Sequence, residues 1–314
     1  MEVRALTLDD RAAWADLLAL TFERTPDDMG LLLDWLHDGY DVIACGAFDG
    51  DTLAAQYACL MVPLRLPGSP GLRRAGMSLN MSVHPEYRGQ GMIKQVSKPV
   101  YERVQAAGGI AGFGFSNAEG VQVDRKSKGY GYQVVGRLRP SLVWFNPLSV
   151  RHRDDIYLTD TLPLELPCFP PVASPGIYFD TAPERIAHRY AAHPFRRYRF
   201  GLWEQYGLIR GIVAYRPVTL GGIHGAAVLG AYGDDLPGLL RAWAKAAWGE
   251  GLRFAHVLTT PRSALRRAFQ QAGLRLPQPI SRSPYYLTVK PLGDATPPEL
   301  FDFGAWDCMG GDIL

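Results

Sequence analysis

The 314-residue sequence has no long apolar run, no basic tract and few cysteines. No apolar stretch approaches the roughly 20 residues that a membrane-spanning helix needs. Lys and Arg number 33 against 31 Asp and Glu, and this net charge of +2, without a cationic block, argues against nucleic acid and against an anionic membrane as partners. The four cysteines form no Cys-x-x-Cys pair and have no histidine spacing suited to zinc: Cys45, Cys59, Cys168 and Cys308. We therefore expect reduced thiols in a cytoplasmic protein that holds no metal.

The length and the proline distribution predict two domains. Hydrophobic residues make up 47% of the chain and charged residues 20%, which is typical of a globular protein. At 314 residues the chain is long enough for two domains of ordinary size. The composition changes from Ser149 to Pro175, where prolines recur and indicate a semi-rigid crossing segment. We predict a first domain over 1–148, a linker over 149–175 and a second domain over 176–314.

A glycine-rich turn between His84 and Lys94 is the most informative stretch of the chain. Residues 75–83 before it alternate with the period of a strand, and apolar residues from Ile93 to Val104 recur at helical spacing. A turn of this kind points main-chain N–H groups and the positive end of the helix dipole at one spot. Two glycines allow close approach of the main chain, and Arg88 adds positive charge, so the turn favours a phosphate or pyrophosphate.

Taken alone, this Arg-Gly-x-Gly turn has two interpretations. It lacks the Gly-x-Gly-x-x-Gly spacing of a dinucleotide fold and the Gly-Lys-Ser/Thr ending of a nucleotide-triphosphate loop. A tight turn before a surface helix would give the same pattern.

The surrounding sequence supplies a resemblance. The stretch Val83-His84-Pro85-Glu86-Tyr87-Arg88-Gly89-Gln90-Gly91 resembles the acetyl-coenzyme A signature of the GNAT acetyltransferase superfamily. The order downstream is also similar: a helix, a strand over 110–116, Asn117, another helix and then Gly129. The resemblance covers most of the first 150 or so residues. One position departs from the family pattern, because Ile93 stands where the family usually has Gly or Ala, and its branched side chain should alter how closely the helix approaches the pyrophosphate.

The resemblance implies which residues bind acetyl-coenzyme A. The turn would hold the pyrophosphate, and main-chain groups of the preceding strand would bond the pantetheine arm. The residues implied as cofactor-binding are Met81, Ser82, Val83, Arg88, Gly89, Gln90, Gly91, Met92, Ile93, Lys94 and Asn117.

The resemblance also implies the catalytic candidates. Family members place an Asn like Asn117 near the pantetheine or a catalytic water, although an Asn at a helix start is equally suited to capping. Arg125 stands where the family often has the tyrosine that protonates the departing thiolate. Tyr130 and Tyr132 are nearby and could supply a phenol, although both belong to a predicted strand, where aromatic residues often just pack. Glu86 and Glu119 are candidate bases for the acceptor amine. For Glu86 a solvated turn residue is the alternative.

The second half of the chain repeats the predicted element order of the first half. We predict an α/β (α+β) fold of two tandem GNAT-like domains, each with a mixed, mostly antiparallel central sheet flanked by helices. Asp234 and Asp235 occupy the place of the phosphate turn in the second copy, where their charge is wrong for a pyrophosphate. The second copy is therefore predicted to be degenerate. Residues 306–314 are apolar enough to dock. In a few two-domain relatives the C-terminus reaches the active cleft, which makes Asp312 or the terminal carboxylate a candidate there.

The predicted function is N-acetyl transfer from acetyl-coenzyme A to an amine of a small-molecule acceptor. The expected protein is a cytoplasmic monomer or homodimer, with no metal, nucleic acid or membrane partner. Two alternatives stay open. One is a non-catalytic acyl-coenzyme A sensor or scaffold, which Arg125 and Ile93 favour. The other is an aminoacyl transferase that uses charged transfer RNA, against which the coenzyme A turn and the lack of a basic tract count.

Overall fold

The computed structural model describes residues 1–118, 120–121, 131–145, 156–169, 176–274 and 285–313. The chain divides into two compact units. The first unit contains Met1–Arg65, Ser69–Gly136 and Tyr285–Phe301, and the second contains Leu66–Gly68, Arg137–Pro284 and Asp302–Leu314. No helix in these ranges is both long enough and apolar enough to cross a bilayer.

The helices and strands are numbered in chain order. The α-helices are α1 Arg11–Phe22, α2 Pro26–Gly39, α3 Met92–Ala106, α4 Pro183–Tyr190, α5 Leu236–Gly249 and α6 Ala264–Gln271. The strands of the first half are β1 Glu2–Ala5, β2 Asp41–Asp49, β3 Thr52–Arg65, β4 Leu72–Val83, β5 Ala111–Ser116, β6 Gln133–Leu138 and β7 Pro140–Trp144. Those of the second half are β8 Ile156–Thr159, β9 Tyr178–Phe179, β10 Arg199–Gln205, β11 Leu208–Leu220, β12 Ile223–Gly233, β13 Phe254–Leu258 and β14 Tyr285–Pro291.

The sheet of the first unit has the strand order β1-β2-β3-β4-β5-β14-β6. Strands β1 to β4 are antiparallel neighbours, and β4 and β5 run parallel, joined by α3. Successive residues of β3 face opposite sides of the sheet, as strand geometry requires. Tyr57 and Cys59 pack with α3, whereas Ala58 packs with α1 and α2. The sheet is therefore mixed, mostly antiparallel and flanked by helices, as predicted.

The sheet of the second unit repeats this plan. Its strand order is β7-β13-β12-β11-β10-β8, and its parallel pair is β12 and β13, joined by α5. Helices α5 and α6 bury Leu239, Trp243 and Phe269 in one core with this sheet. The predicted tandem GNAT-like architecture is confirmed at the level of element order and sheet composition.

Two strands lie in a different unit from the one that the sequence boundaries suggest. Strand β14 lies between β5 and β6 in the first unit, with Thr288 opposite Gly114, although it falls within 176–314. Strand β7 pairs with β13 in the second unit, although it falls within 1–148. The units are thus not continuous segments, because a strand's periodicity shows its exposed and buried faces but not its partner.

The C-terminal segment, residues 306–313, docks within the second unit between β12 and β13. Strands β12 and β13 pair from Ala226 with Ala255 to Val228 with Val257. Beyond these pairs, Thr259 forms an antiparallel bridge with Met309. Thr260 N–H donates to the Cys308 carbonyl at 3.2 Å, and Cys308 N–H donates to Thr260 Oγ1 at 3.1 Å. The segment therefore extends the pairing of β13 where β12 and β13 separate.

Partly buried polar contacts hold the end of this segment. Arg189 Nη2 donates to the Ile313 carbonyl at 2.7 Å, and Met309 N–H donates to Asp312 Oδ2 at 2.8 Å. Burial raises the pKa of Asp312 to about 7. A Cβ on Gly311 would lie 2.9 Å from the Leu229 carbonyl oxygen and would overlap the Tyr190 hydroxyl. The docked position thus requires glycine at 311.

We expect Gly311→Ala to destabilise the protein by about 1–3 kcal/mol, because the added methyl group must displace buried backbone or Tyr190. Gly249→Ala at the exposed end of α5 is the matched control, since a Cβ there meets no atom within 4 Å. The control should be neutral or slightly stabilising, given the higher helix propensity of alanine. Urea denaturation measures both variants, and equal midpoints for the two would contradict the docked position of the segment.

Candidate functional site

A cleft opens in the first unit where β4 and β5 separate. The two strands are paired at Gly76 with Gly112 and at Met77 with Phe113. Farther along, a cleft of about 860 Å³ lies between them, a volume typical of small-molecule sites. Its lining residues in the described ranges are Thr21, Phe22, Tyr57, Ser78, Asn80, Met81, Val83, Tyr87, Arg88, Gly89, Gly91, Met92, Ile93, Lys94, Gly114, Phe115, Ser116, Asn117, Gly120, Tyr132, Tyr285 and Thr288.

A β-bulge in β4 shapes one wall of the cleft. Gln56 of β3 pairs with Ser82 and Ala58 pairs with Leu79, so Asn80 and Met81 together lie opposite the single residue Tyr57. Asn80 has a φ of +47°, a left-handed conformation that side chains disfavour. A bulge bends the strand and takes residues out of the regular ladder. Asn80 and Met81 are thereby turned to line the cleft.

The glycine-rich turn closes one end of the cleft. Gly89 and Gly91 have φ values of +81° and +71°, and no atom lies within 4 Å of the Cβ position at either residue. Helix α3 begins directly after Gly91, and Lys94 N–H bonds the Gly91 carbonyl at 3.1 Å. The first N–H groups of a helix have no acceptor inside the helix and carry the positive end of its dipole. The turn therefore offers open main chain and positive potential, which suits a phosphate group.

Most residues predicted to bind the cofactor lie together in this cleft. Those in its lining are Met81, Val83, Arg88, Gly89, Gly91, Met92, Ile93, Lys94 and Asn117. Ile93 also packs against the core beneath α3. Ser82 and Gln90 lie outside the lining. The Ser82 side chain is buried and donates to the Asn80 carbonyl at 3.2 Å, whereas Gln90 is exposed on the turn.

Two of the predicted catalytic residues, Asn117 and Glu86, lie within the described ranges. Asn117 lines the cleft, and its Oδ1 accepts from Gly120 N–H at 2.8 Å, which is the capping role. The Glu86 side chain is 82% exposed, lies outside the lining and is 3.9 Å from His84 Nδ1. Glu119 and Tyr130 lie outside the described residues, as does Arg125.

Three tyrosine hydroxyls meet at the cleft, and only Tyr132 was considered from the sequence. Tyr57 Oη donates to Ser78 Oγ at 2.8 Å, lies 3.2 Å from Tyr132 Oη and also bonds Tyr101 Oη. Tyr101 and Tyr132 are hydrogen-bonded to each other. Burial raises the pKa values of Tyr57 and Tyr101 well above the usual phenol value, so both stay protonated at neutral pH. We call these three residues the phenol cluster.

Strand β14 adds residues that the sequence placed in the second domain. Thr288 lines the cleft and its Oγ1 donates to the Gly114 carbonyl at 3.3 Å. Lys290 Nζ lies 5.1 Å from the centre of the Tyr101 ring, and burial lowers the pKa of this lysine. In sequence, Tyr57 and Tyr132 are 75 residues apart, and no local spacing would have joined them with β14.

The charge of the cleft is positive over its described lining. Among the described lining residues, the charged side chains are those of Arg88 and Lys94, and both belong to the turn. Across the described ranges, no group of three or more His, Cys, Asp or Glu side chains is placed to hold a metal ion. The described part of the cleft thus has the charge for an anionic ligand.

Comparison with known families agrees with this geometry. Residues 2–132 match the family model described as an acetyltransferase (GNAT) domain, a range that contains the cleft wall, the turn and the phenol cluster. This part of the chain is therefore similar to a GNAT domain. A comparison with curated protein sequences gives no match.

Solved structures share the fold across nearly the whole chain. A GCN5-related N-acetyltransferase from Anabaena variabilis is 9% identical, with a TM-score of 0.66 over 93% of this chain and 73% of that one. A probable N-acyltransferase from Enterococcus faecalis is 12% identical, with a TM-score of 0.63 over 93% and 72%. A tandem GNAT protein from the clavulanic acid biosynthesis pathway is 14% identical, with a TM-score of 0.51 over 93% and 98%. At these identities the likeness establishes the tandem GNAT fold.

We expect Asn117→Ala to lower the free energy of unfolding by about 1 kcal/mol, because Gly120 N–H loses the side-chain acceptor that Asn117 gives it. Asn117→Ser should restore most of that stability, since a serine hydroxyl also accepts from the third N–H of a helix. Chemical denaturation of the two variants measures the effect. Equal stability of the alanine variant and the unchanged protein would show that the capping bond contributes nothing.

Proposed function

We propose that the GNAT domain binds acetyl-coenzyme A in the cleft between β4 and β5 and transfers the acetyl group to an amine of a small molecule. The observation that supports this most is the cleft itself, which ends at open glycines and the first turn of α3. A pyrophosphate needs close main-chain donors and positive charge, and the turn offers both. The residues present therefore fit the group.

The pyrophosphate and the pantetheine arm of the cofactor each have a counterpart in the cleft under this proposal. Residues 88–94 hold the pyrophosphate, with Arg88 and Lys94 as the cations. Main-chain groups of Met81, Ser82 and Val83 bond the pantetheine arm, as the family resemblance implies. Bound acetyl-coenzyme A supplies a thioester that an amine can attack and a thiolate that leaves.

The chain's own groups would assist this reaction in two ways. Main-chain donors at the β4 bulge stabilise negative charge on the thioester oxygen, since fixed dipoles in a cleft act more strongly than water. Tyr132 gives its proton to the leaving thiolate, in place of the tyrosine that Arg125 replaces. Hydrogen bonds to Tyr57 and Tyr101 orient its hydroxyl group. The amine must be neutral to attack; Glu119 and Glu86 stay candidate bases from the sequence, and Tyr130 stays an alternative phenol.

We propose that the second unit binds no acetyl-coenzyme A. Asp235 Oδ1 accepts from Gly238 N–H at 2.9 Å and so caps α5, and Asp234 pairs with Arg210 at 2.7 Å. These carboxylates repel a pyrophosphate at the helix start. The docked residues 306–313 also take the space between β12 and β13. One acetyl-coenzyme A per chain is therefore the proposed stoichiometry.

A cytoplasmic setting is part of the proposal. Cys45, Cys59 and Cys308 are free and buried, and Cys168 is free and exposed. Free thiols in this number are typical of a reducing compartment.

We expect calorimetric titration to show micromolar binding of one acetyl-coenzyme A per chain, and Gly91→Glu to abolish it, because a carboxylate would stand at the proposed pyrophosphate position. Gly207→Glu is the matched control: its φ of +73° is close to the +71° of Gly91, and a Cβ at either residue meets no atom within 4 Å. The control suffers the same backbone strain but should keep the affinity. No binding by the unmodified protein would refute the proposed function, and equal loss in both variants would refute the assignment to the turn.

We expect Tyr132→Phe to slow release of free thiol from acetyl-coenzyme A by about 10²–10⁴-fold, the usual contribution of a general acid, with unchanged cofactor affinity. Thiol release is measured with a panel of small amines. Tyr87→Phe is the matched control, because Tyr87 also lines the cleft but donates to Asp49 at 2.9 Å, outside the phenol cluster.

Two results would change the interpretation. Full thiol release by Tyr132→Phe would exclude that phenol as the acid. Binding without release for any amine would favour the non-catalytic acyl-coenzyme A sensor or scaffold, the alternative that Ile93 in the cleft wall supports.

A further inference from the structure

A small cavity lies beside the β4 bulge, within the first unit. Its volume is about 10 Å³, which is close to the space that one water molecule occupies. Helices α1 and α2 and strands β2, β3 and β4 form its walls, which are mostly leucine, valine and alanine side chains. The polar exceptions are Trp14, His37, Gln56 and Asn80.

Three of these side chains each have a buried polar atom without a hydrogen-bond partner among the described residues: Trp14 Nε1, His37 Nε2 and Gln56 Oε1. The indole N–H only donates, the amide oxygen only accepts, and a neutral imidazole nitrogen does either. Burial lowers the pKa of His37, so its ring is neutral near pH 7, although Asp34 and Asp38 act in the opposite direction. A water molecule can accept from the indole, donate to the amide and bond the imidazole at once. Buried waters typically make about three such bonds.

The other end of the Gln56 amide holds the bulge. Gln56 Nε2 donates to the Asn80 carbonyl and lies 3.4 Å from Ser82 Oγ, which itself donates to the Asn80 carbonyl at 3.2 Å. Asn80 is the residue with the left-handed φ, and it lines both the small cavity and the cleft. Gln56 is fully buried. Its amide thus connects the cavity to the main chain that bends toward the cleft.

We propose that one buried water bridges Trp14, His37 and Gln56, and that this water fixes Gln56 as a positioning residue for the β4 bulge. The bulge keeps its conformation because the Asn80 carbonyl has an oriented donor. The water orients that donor by occupying the amide oxygen, which leaves the NH₂ group toward Asn80 and Ser82. The effect of the bulge on acetyl-coenzyme A binding rests on the proposed function, whereas the presence of the water and its effect on the bulge do not.

A crystal structure that resolves ordered solvent tests the water directly. We expect one solvent peak within hydrogen-bonding distance of the three side-chain atoms, in the unmodified protein without any ligand. A dry cavity, or a Gln56 amide turned away from Asn80, would overturn the proposal.

Gln56→Met tests the positioning role, because methionine has nearly the same length and can neither donate to Asn80 nor accept from the water. Val62→Ala is the control: Val62 is equally buried on β3, pairs with Ala75 and is remote from the bulge. Chemical denaturation of each variant gives the denaturant concentration at which a chosen fraction of the molecules is unfolded. The two variants are then compared at equal unfolded fractions. Under those conditions, amide hydrogen exchange of residues 79–83 should be about tenfold faster in Gln56→Met than in Val62→Ala. This rate ratio corresponds to an equilibrium constant for local opening that is about tenfold larger.

Cofactor titration separates the proposal from the proposed function. If the unmodified protein binds acetyl-coenzyme A, Gln56→Met should weaken that binding about tenfold and Val62→Ala should leave it unchanged. Weaker binding in both variants would reduce Gln56 to a general core contact and overturn the positioning role. If the unmodified protein does not bind, the proposed function fails, and exchange at 79–83 still decides the proposal: equal rates in the two variants would overturn it.

Discussion

Helix α3 packs so closely on the first unit's sheet that one paired position of β4 and β5 has no room for side chains. A Cβ on Gly76 would lie 2.9 Å from Val104, and one on Gly112 would lie 2.6 Å from Tyr101. These two glycines are a paired position of β4 and β5, so the helix sits directly over the point from which the strands separate. The same helix begins at the glycine-rich turn, and its residue Tyr101 belongs to the phenol cluster. One packing contact thus sets the position of the cleft, the turn and the tyrosines together.

The second unit has the same plan, but different residues lie between its parallel strands. Its parallel strands also separate, with a helix joining them, but the gap is filled by main chain from residues 306–313. Carboxylates stand at its helix start, where they favour the helix dipole and disfavour an anionic ligand. Packing of its core is unaffected by either change, since Trp243 and Phe269 remain buried. The same fold therefore carries different residues at the matching place in each unit, and function has to be argued from the site in each unit separately.

Most of what the sequence predicted about the fold and the cleft came from patterns within single segments. The turn from His84 to Lys94, the helix after it and the strand before it follow from glycine placement and periodicity, and nine of the implied cofactor residues line the cleft. The Ser82 side chain lies outside the lining because neighbouring strand residues face opposite sides, whereas the prediction for Ser82 concerned its main-chain groups. The phenol cluster, the bulge and the placement of β14 depend on contacts between distant segments. No periodicity within one segment contains that information.

The exchanged strands mean that the two units cannot be obtained by a single cut. A fragment that ended near residue 148 would contain most of the first unit but would lack β14, which pairs with β5 along Ala111 to Ser116. Strand β5 would then present an unpaired edge of apolar residues, the kind of surface that promotes aggregation. The cleft would also lack Tyr285 and Thr288. Circular permutation or coexpression of complementary pieces, rather than truncation, is the route to an isolated first unit.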